Sequence, residues 1–204
     1  MATAVVVLGG SVGPQTVPAD AYSAEVVVAA DGGLDVANAL GIDVDRVVGD
    51  LDSVSPGALD AALAAGMPIE RHAVDKDETD FELAVQSALR DPVDRLVVLG
   101  GAGGRIDHLL GNMAVLCGIS GSETDVSVEA WVGDTLVIPL TGRWQRSFPS
   151  DTLVSLLAWG GPAVVTAEDQ RRQPHLFSDT EASAVDFEIA VSHHFVCCCL
   201  VCRE

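Results

Sequence analysis

The chain has 204 residues, of which 30 are acidic and 11 basic, and a net charge of -19. That balance excludes a nucleic-acid surface or an anionic membrane as the default partner and means that a phosphate ligand needs a cation between it and the protein. Hydrophobic residues reach 49% and aromatics only 4%, which fits a core of Ala, Val and Leu and not a disordered acidic polymer. The length suits one large domain or two small ones. The opening MATAVVVLGG has no basic region of the signal-peptide kind, and no stretch approaches the roughly 20 apolar residues of a membrane span. Four of the five cysteines, Cys197, Cys198, Cys199 and Cys202, crowd together at the end of the chain, which is no spacing for a disulfide framework. A cytoplasmic protein is expected.

In chain order, β-branched runs predict strands at Ala4–Leu8, Val26–Ala30, Arg46–Val48, Ile69–His72 and Arg95–Leu99. Amphipathic stretches between them predict helices at Leu34–Leu40, Pro56–Ala65, Asp80–Arg90 and Asp107–Cys117. The alternation is that of βα units around a parallel sheet. Ser55 caps the second helix with Pro56 at its first position, and Thr79 with Glu82 forms a T-x-x-E capping box for the third. The pattern changes at the polar joint Ser120–Thr124. Short strands at Val126–Trp131, Thr135–Leu140, Leu153–Trp159 and Val164–Thr166 then predict a small antiparallel β domain with its boundary near Gly121. Trp131, Trp144 and Trp159 read as packing within it. After Glu168 the alternation is lost.

Acidic or glycine-rich motifs follow the predicted strands, at the edge where open α/β sheets gather ligands. They are Asp31-Gly32-Gly33, Gly49-Asp50-Leu51-Asp52-Ser53, Lys76-Asp77-Glu78-Thr79-Asp80 and Gly100-Gly101-Ala102-Gly103-Gly104-Arg105-Ile106-Asp107-His108. Asp50 and Asp52 point to one side if strand geometry continues past Gly49. The segment is then either a surface turn with local Asx hydrogen bonds or a carboxylate pair around Mg²⁺. Asp80 either complements the helix dipole or joins Asp31, Asp50 and Asp52 at one edge, where their repulsion calls for a bound metal. Lys76 is a solvated loop charge or a phosphate contact. The run Gly100–Gly104 supplies backbone N–H groups of the kind that cradle phosphate, and the fork of Arg105 suits a phosphoryl oxygen. Asp107 caps the helix or takes part in the site. Gly9-Gly10-Ser11-Val12-Gly13 is a second candidate nucleotide loop. Motifs of serine hydrolases and zinc enzymes are missing from the sequence.

Together A-D-G-G at 30–33, G-D-L-D-S at 49–53, D-K-D-E-T-D-F-E at 75–82 and G-G-A-G-G-R-I-D-H-L-L-G-N at 100–112 resemble the signature of the thiamine pyrophosphokinase (thiamine diphosphokinase) family, over roughly residues 4–165. The resemblance implies a Rossmann-like α/β domain with a mostly parallel sheet over residues 1–120. It implies a smaller C-terminal β-sandwich domain over 121–204, serving the acceptor substrate and dimerisation. The implied enzyme is a Mg²⁺-requiring transferase that moves the pyrophosphoryl group of ATP to thiamine, giving thiamine diphosphate and AMP, as a homodimer without nucleic-acid or membrane partners. Asp50, Asp52 and Asp80 resemble the metal-holding carboxylates and Asp31 a further catalytic acid. Gly32, Gly33, Ser53, Lys76, Thr79, Gly103, Gly104, Arg105, Asp107, His108 and Asn112 fall at positions that would contact ATP or substrate.

The chain departs from the family pattern after about residue 168, where the Ser-Asn-containing segment that helps to hold thiamine has no counterpart. Two further readings therefore stand beside the first: a pyrophosphokinase acting on another heterocyclic alcohol, and a non-catalytic nucleotide-binding homologue.

Overall fold

Strands that are apolar on both faces belong inside a parallel sheet, because its crossover helices cover each side. A computed structural model of the chain describes residues 1–13, 17–120, 126–148, 152–159, 164–169, 185–192 and 196–202. The chain forms two compact units, one of Met1–Val115 with Asp125–Gly133 and one of Leu116–Thr124 with Asp134–Glu204.

In the first unit the strands are β1 (Thr3–Val7), β2 (Val26–Ala30), β3 (Arg46–Gly49), β4 (Ile69–Arg71), β5 (Arg95–Leu99) and β6 (Ser127–Val132). They stand in the order β4-β3-β2-β1-β5-β6, and each neighbouring pair is parallel. β1 and β2 are buried along their whole length. The chain moves outward from β1 to β4 and then returns to the other side of β1, so the topological switch point lies between β1 and β5. The run Val126–Trp131 was expected in the antiparallel β domain, but β6 pairs in parallel with β5, Leu96 beside Val128 and Leu99 beside Trp131. Alternation shows that a run is extended without showing which strand it will join. Trp131 correspondingly packs against the core cluster that contains Val5, Val7, Val97 and Leu99.

The helices are α1 (Gly33–Leu40), α2 (Pro56–Ala64), α3 (Asp80–Ala88) and α4 (Ile106–Ser120), with a short 3-10 turn at Ala19–Ser23 that the sequence pattern does not announce. α1 ends where Gly41 takes a left-handed conformation, φ 70°, the usual helix stop. Ser55 caps α2, its hydroxyl accepting from the Ala58 N–H at 3.3 Å. At α3 both halves of the capping box form: the Thr79 hydroxyl accepts from the Glu82 N–H at 3.1 Å, and the Thr79 N–H donates to Glu82 Oε2 at 2.7 Å. A polar network holds α3 to the sheet. Arg46 of β3 donates to Ser87 Oγ at 2.8 Å and to Asp91 Oδ2 at 2.6 Å, while Ser87 donates to Glu70 Oε1 at 2.9 Å.

The second unit is built from β7 (Thr135–Leu140), β8 (Gly142–Phe148), β9 (Leu153–Trp159), β10 (Val164–Asp169), β11 (Val185–Ser192) and β12 (Val196–Cys202). β12 lies antiparallel between β7 and β9, and β11 antiparallel between β10 and β8. β8, β11 and β12 are not among the strands expected from the sequence, yet β11 and β12 each occupy a central position. Contrary to the loss of alternation expected after Glu168, β11 places Val185, Phe187, Ile189 and Val191 at alternate positions and β12 is a continuous apolar run, both strand signals. On β8 the rings of Trp144 and Phe148 lie 6.1 Å apart and the Arg146 guanidinium sits 5.7 Å above Phe148. The joint at Gly121 and the stretch 170–184 lie outside the described residues. Among the described residues no helix is long and apolar enough to cross a membrane.

Gly33 opens α1 against β1, and a Cβ there would stand 1.9 Å from the Val7 carbonyl oxygen. Gly57, inside α2, has open space around it. Gly33→Ala is therefore expected to lower stability by about 2 kcal/mol or more, and Gly57→Ala to leave it unchanged or raise it by up to ~1 kcal/mol. Urea unfolding of the two variants reads the contrast, and equal effects would refute the close approach of α1 to β1.

Candidate active site

β2 and β3 end side by side, and the backbone just beyond them turns sharply. Asp31 adopts φ 47° and Leu51 φ 71°, and they are the non-glycine residues with positive φ among those described. Each such residue costs roughly 1–2 kcal/mol, and that kind of strain collects at functional sites. The Asp31 N–H donates to the Val48 carbonyl at 2.9 Å, which fixes the end of β2 against β3. At Gly49, φ 144°, a Cβ would lie 3.1 Å from Asp80 Oδ1 and 3.2 Å from Asp31 Cβ. Only glycine lets those two acidic side chains close over the end of β3.

Leu51 turns into the core beside Ala29, Leu34 and Val47. Asp50 and Asp52 thus flank a buried residue, as the alternation suggested, but a left-handed turn and not continued strand geometry separates them. The Asp52 N–H donates to Asp50 Oδ1 at 3.1 Å and the Ser53 hydroxyl to Asp52 Oδ1 at 2.8 Å. The local turn bonds and the paired carboxylates are both present, so the two sequence readings of this segment are compatible.

Asp31, Asp50 and Asp52 each offer an oxygen within 4.8 Å of the others. Asp80, at the start of α3, comes in beside them through Lys76, whose Nζ lies 2.9 Å from Asp80 Oδ1 and 4.0 Å from Asp50 Oδ2. Burial pushes the Asp31 carboxyl above its ordinary value. A hydrogen bond with Ser53 opposes that rise, and repulsion from Asp80, Asp52 and Asp50 adds to it. For Lys76 burial alone would lower the pKa, but the hydrogen bond to Asp80 and the charges of Asp80, Asp50 and Asp31 outweigh it and raise the pKa. Asp31 Oδ1 is buried without a hydrogen-bond partner, and a buried acceptor left in that state calls for an occupant. The donors are all hard carboxylate oxygens, a set suited to Mg²⁺ and not to a softer ion.

A clamp that the sequence reading did not find supports this loop. Asp35 of α1 accepts from the Ser55 N–H at 2.8 Å and also from the Ser55 hydroxyl. It ties the segment after Asp31 to the one after Asp50. Ser55 was legible as a cap, but its partner lies 20 residues away and no local pattern marks it.

The glycine loops at the switch point divide into two kinds. The Ser11 N–H donates to the Ala102 carbonyl at 3.0 Å and the Gly101 N–H to the Gly9 carbonyl at 2.8 Å. A Cβ on Gly10 would meet the Ala102 oxygen at 2.3 Å, so here glycine serves loop packing. Gly103 and Gly104 have no neighbour within 4 Å of a Cβ position and are exposed. Asn112 turns its Nδ2 toward Gly101, 3.0 Å from the Cβ position. Gly32 packs on Ser53, and the Thr79 hydroxyl is taken by the capping box.

Arg105, Asp107 and His108 are exposed. The Arg105 guanidinium donates from Nε to Asp107 Oδ1 at 3.0 Å and pairs with Oδ2 through Nη2. This hydrogen bonding raises the Arg105 pKa and lowers that of Asp107. The structure therefore brings Asp31, Asp50, Asp52, Asp80, Lys76 and Ser53 into one cluster. It leaves Arg105 on a neighbouring carboxylate in the opening turn of α4.

The strand order and these carboxylates define a doubly wound, Rossmann-like α/β protein with an oxygen-donor cluster at the carboxyl edge of its sheet. Residues 20–128 match the family profile described as "Thiamin pyrophosphokinase, catalytic domain", and the chain belongs to that family. A thiamine pyrophosphokinase of Bacillus subtilis is 31% identical over 80 residues, a stretch covering 39% of this chain and 36% of the relative's length. Among solved structures, the thiamin pyrophosphokinase from Candida albicans aligns with a TM-score of 0.74 at 16% identity, over 98% of this chain and 89% of that one. The thiamine pyrophosphokinase from Bacillus subtilis aligns with 0.71 at 18%, over 99% of each chain. At such identities the structures attest a shared fold.

Because the pKa of Asp31 is raised on folding, its charge opposes the metal-free fold at pH values above that pKa, and the penalty is absent below the ordinary value of 3.8. Asn tolerates a left-handed backbone as Asp does. Asp31→Asn is thus expected to raise the melting temperature of the metal-free protein near neutral pH by roughly 2–4 °C, equivalent to about 1 kcal/mol. The gain should shrink as pH falls toward 3.8. Melting curves across pH check this, and a pH-independent difference would contradict it.

Proposed function

We propose that this protein is a thiamine diphosphokinase: it transfers the pyrophosphoryl group of ATP to the hydroxyl of thiamine, releasing AMP. The observation that carries the reading is the convergence of Asp31, Asp50, Asp52 and Asp80 at one sheet edge in a chain of the thiamin pyrophosphokinase family. Asp50, Asp52 and Asp80 would hold Mg²⁺, which when bound neutralises phosphate charge as the new bond forms. The open backbone at Gly103 and Gly104 receives phosphate oxygens, with Asn112 bordering the loop. Lys76 is placed to meet phosphate charge, and Arg105 can do so once it leaves Asp107. Ser53 and Thr79 hold the carboxylate-bearing segments through hydrogen bonds, and His108 stands exposed beside Asp107.

The hydroxyl oxygen of the acceptor bonds to the β-phosphorus, the bond from that phosphorus to the AMP oxygen breaks, and the hydroxyl proton passes to a carboxylate. Asp31 is favoured over Asp80 as that acceptor, because its Oδ1 is buried without a hydrogen-bond partner and burial pushes its carboxyl above the ordinary value, while the ammonium of Lys76 stands 2.9 Å from Asp80 Oδ1. By resemblance the protein works as a cytoplasmic homodimer, with residues 121–204 contributing to the acceptor site and the dimer. The departure from the family pattern after residue 168 favours a second reading, in which the acceptor is another heterocyclic alcohol.

Purified protein given ATP, Mg²⁺ and thiamine should produce thiamine diphosphate and AMP, detected by mass. Asp52→Asn is expected to lower turnover by roughly a hundredfold or more, whereas Asp60→Asn, on an exposed position of α2, should leave it unchanged. AMP formed only with a different alcohol would support the second reading, and ATP binding without AMP from any alcohol would overturn both.

A further inference from the structure

Lys76 sits where a divalent ion would otherwise supply positive charge. Its ammonium lies 2.9 Å from Asp80 and 4.0 Å from Asp50, with the side chain 13% exposed. Among the described residues it is the cation paired with the acid cluster. Its reach is nonetheless incomplete, since Asp31 Oδ1 remains buried without a partner. The cluster therefore keeps capacity for a second cation, but that cation must enter beside an existing positive charge, which opposes it. Polyphosphate reverses the balance. Its oxygens bring negative charge that an ammonium can follow, and the flexible four-carbon stem of lysine lets Nζ turn from carboxylate to phosphate. Lys76 belongs to the segment between β4 and α3 and not to the body of either, so such a turn disturbs no regular element.

We propose that Lys76 is a resident cation that discriminates between ions: it keeps the acid cluster from taking a bare divalent ion and gives way to one that arrives with the polyphosphate of a nucleotide. The site then selects the metal–nucleotide complex over the free metal. This deepens the proposed function and rests on its assignment of the cluster to a metal and a nucleotide.

The test is titration of the wild type, Lys76→Met and Lys76→Arg with Mn²⁺ alone, followed by the electron-spin signal of free Mn²⁺, and then with Mn²⁺ plus a non-hydrolysable ATP analogue. Wild type and Lys76→Arg, which keeps the charge, should bind Mn²⁺ alone weakly and bind it much more tightly with the analogue. Lys76→Met should bind Mn²⁺ alone roughly tenfold tighter or more than wild type, and the analogue should strengthen its binding far less. Should Lys76→Met fail to melt cooperatively, Lys76→Gln, neutral but still able to donate to Asp80, takes its place. A neutral variant that binds Mn²⁺ alone no tighter than wild type, while its Mn²⁺–analogue complex still forms, overturns the role of Lys76 and leaves the proposed function standing. A wild type that binds Mn²⁺ neither alone nor with the analogue overturns both.

Discussion

The mutual repulsion of carboxylates held at the ends of β2, β3 and α3 is the constraint around which the first unit is organised. Asp31, Asp50, Asp52 and Asp80 come from three separate strand–helix connections, so chain connectivity does not force them together. Left to electrostatics they would separate. The fold must hold them against that tendency, and the excess negative charge is what would draw a cation to the site under the proposed function.

The holding devices are of several kinds, and most act on the backbone. Left-handed conformations at Asp31 and Leu51 aim the acids while burying Leu51. The missing side chain at Gly49 leaves room for Asp80 to reach Asp31. Asp35 fastens the two acid-bearing loops through Ser55, and Arg46 fastens α3 to β3 at the end remote from the site. A helix anchored at its far end and capped at its near end presents its first residue, Asp80, in a fixed position. Asp80 is thereby held on a rigid element, which fixes a side chain more precisely than a loop does.

The parallel sheet was legible because burial on both faces leaves continuous apolar runs, as in Val26–Ala30 and Arg95–Leu99, which form strands over the residues expected. Caps at Ser55 and Thr79 were legible for a similar reason, since capping is a local code. The acid cluster could be anticipated because parallel strands deliver their C-terminal residues to a single edge. What was hidden depends on distant partners. Val126–Trp131 has the same alternation whether it joins β5 or an antiparallel neighbour. Asp35 is one more helix acid until Ser55 is seen beside it. Nor could sequence tell that Gly10 and Gly100 serve loop packing while Gly103 and Gly104 stay open.

The chain-wide charge gives the site a particular chemical character. With a net charge of -19, the protein repels polyphosphate at long range, so the nucleotide of the proposed function would gain little from steering and would have to be held by charges at the site itself. The cations nearest that task are already engaged, Lys76 by Asp80 and Arg105 by Asp107. Phosphate can recruit either only in exchange for its carboxylate partner. A divalent ion held by Asp50, Asp52 and Asp80, as the proposed function has it, would resolve the conflict by supplying the positive charge that the vacated carboxylates and the phosphate both call for. Under the proposed function metal and nucleotide would thus be coupled ligands, each removing the electrostatic obstacle to the other, and that coupling would follow from charge placement without any change in the sheet.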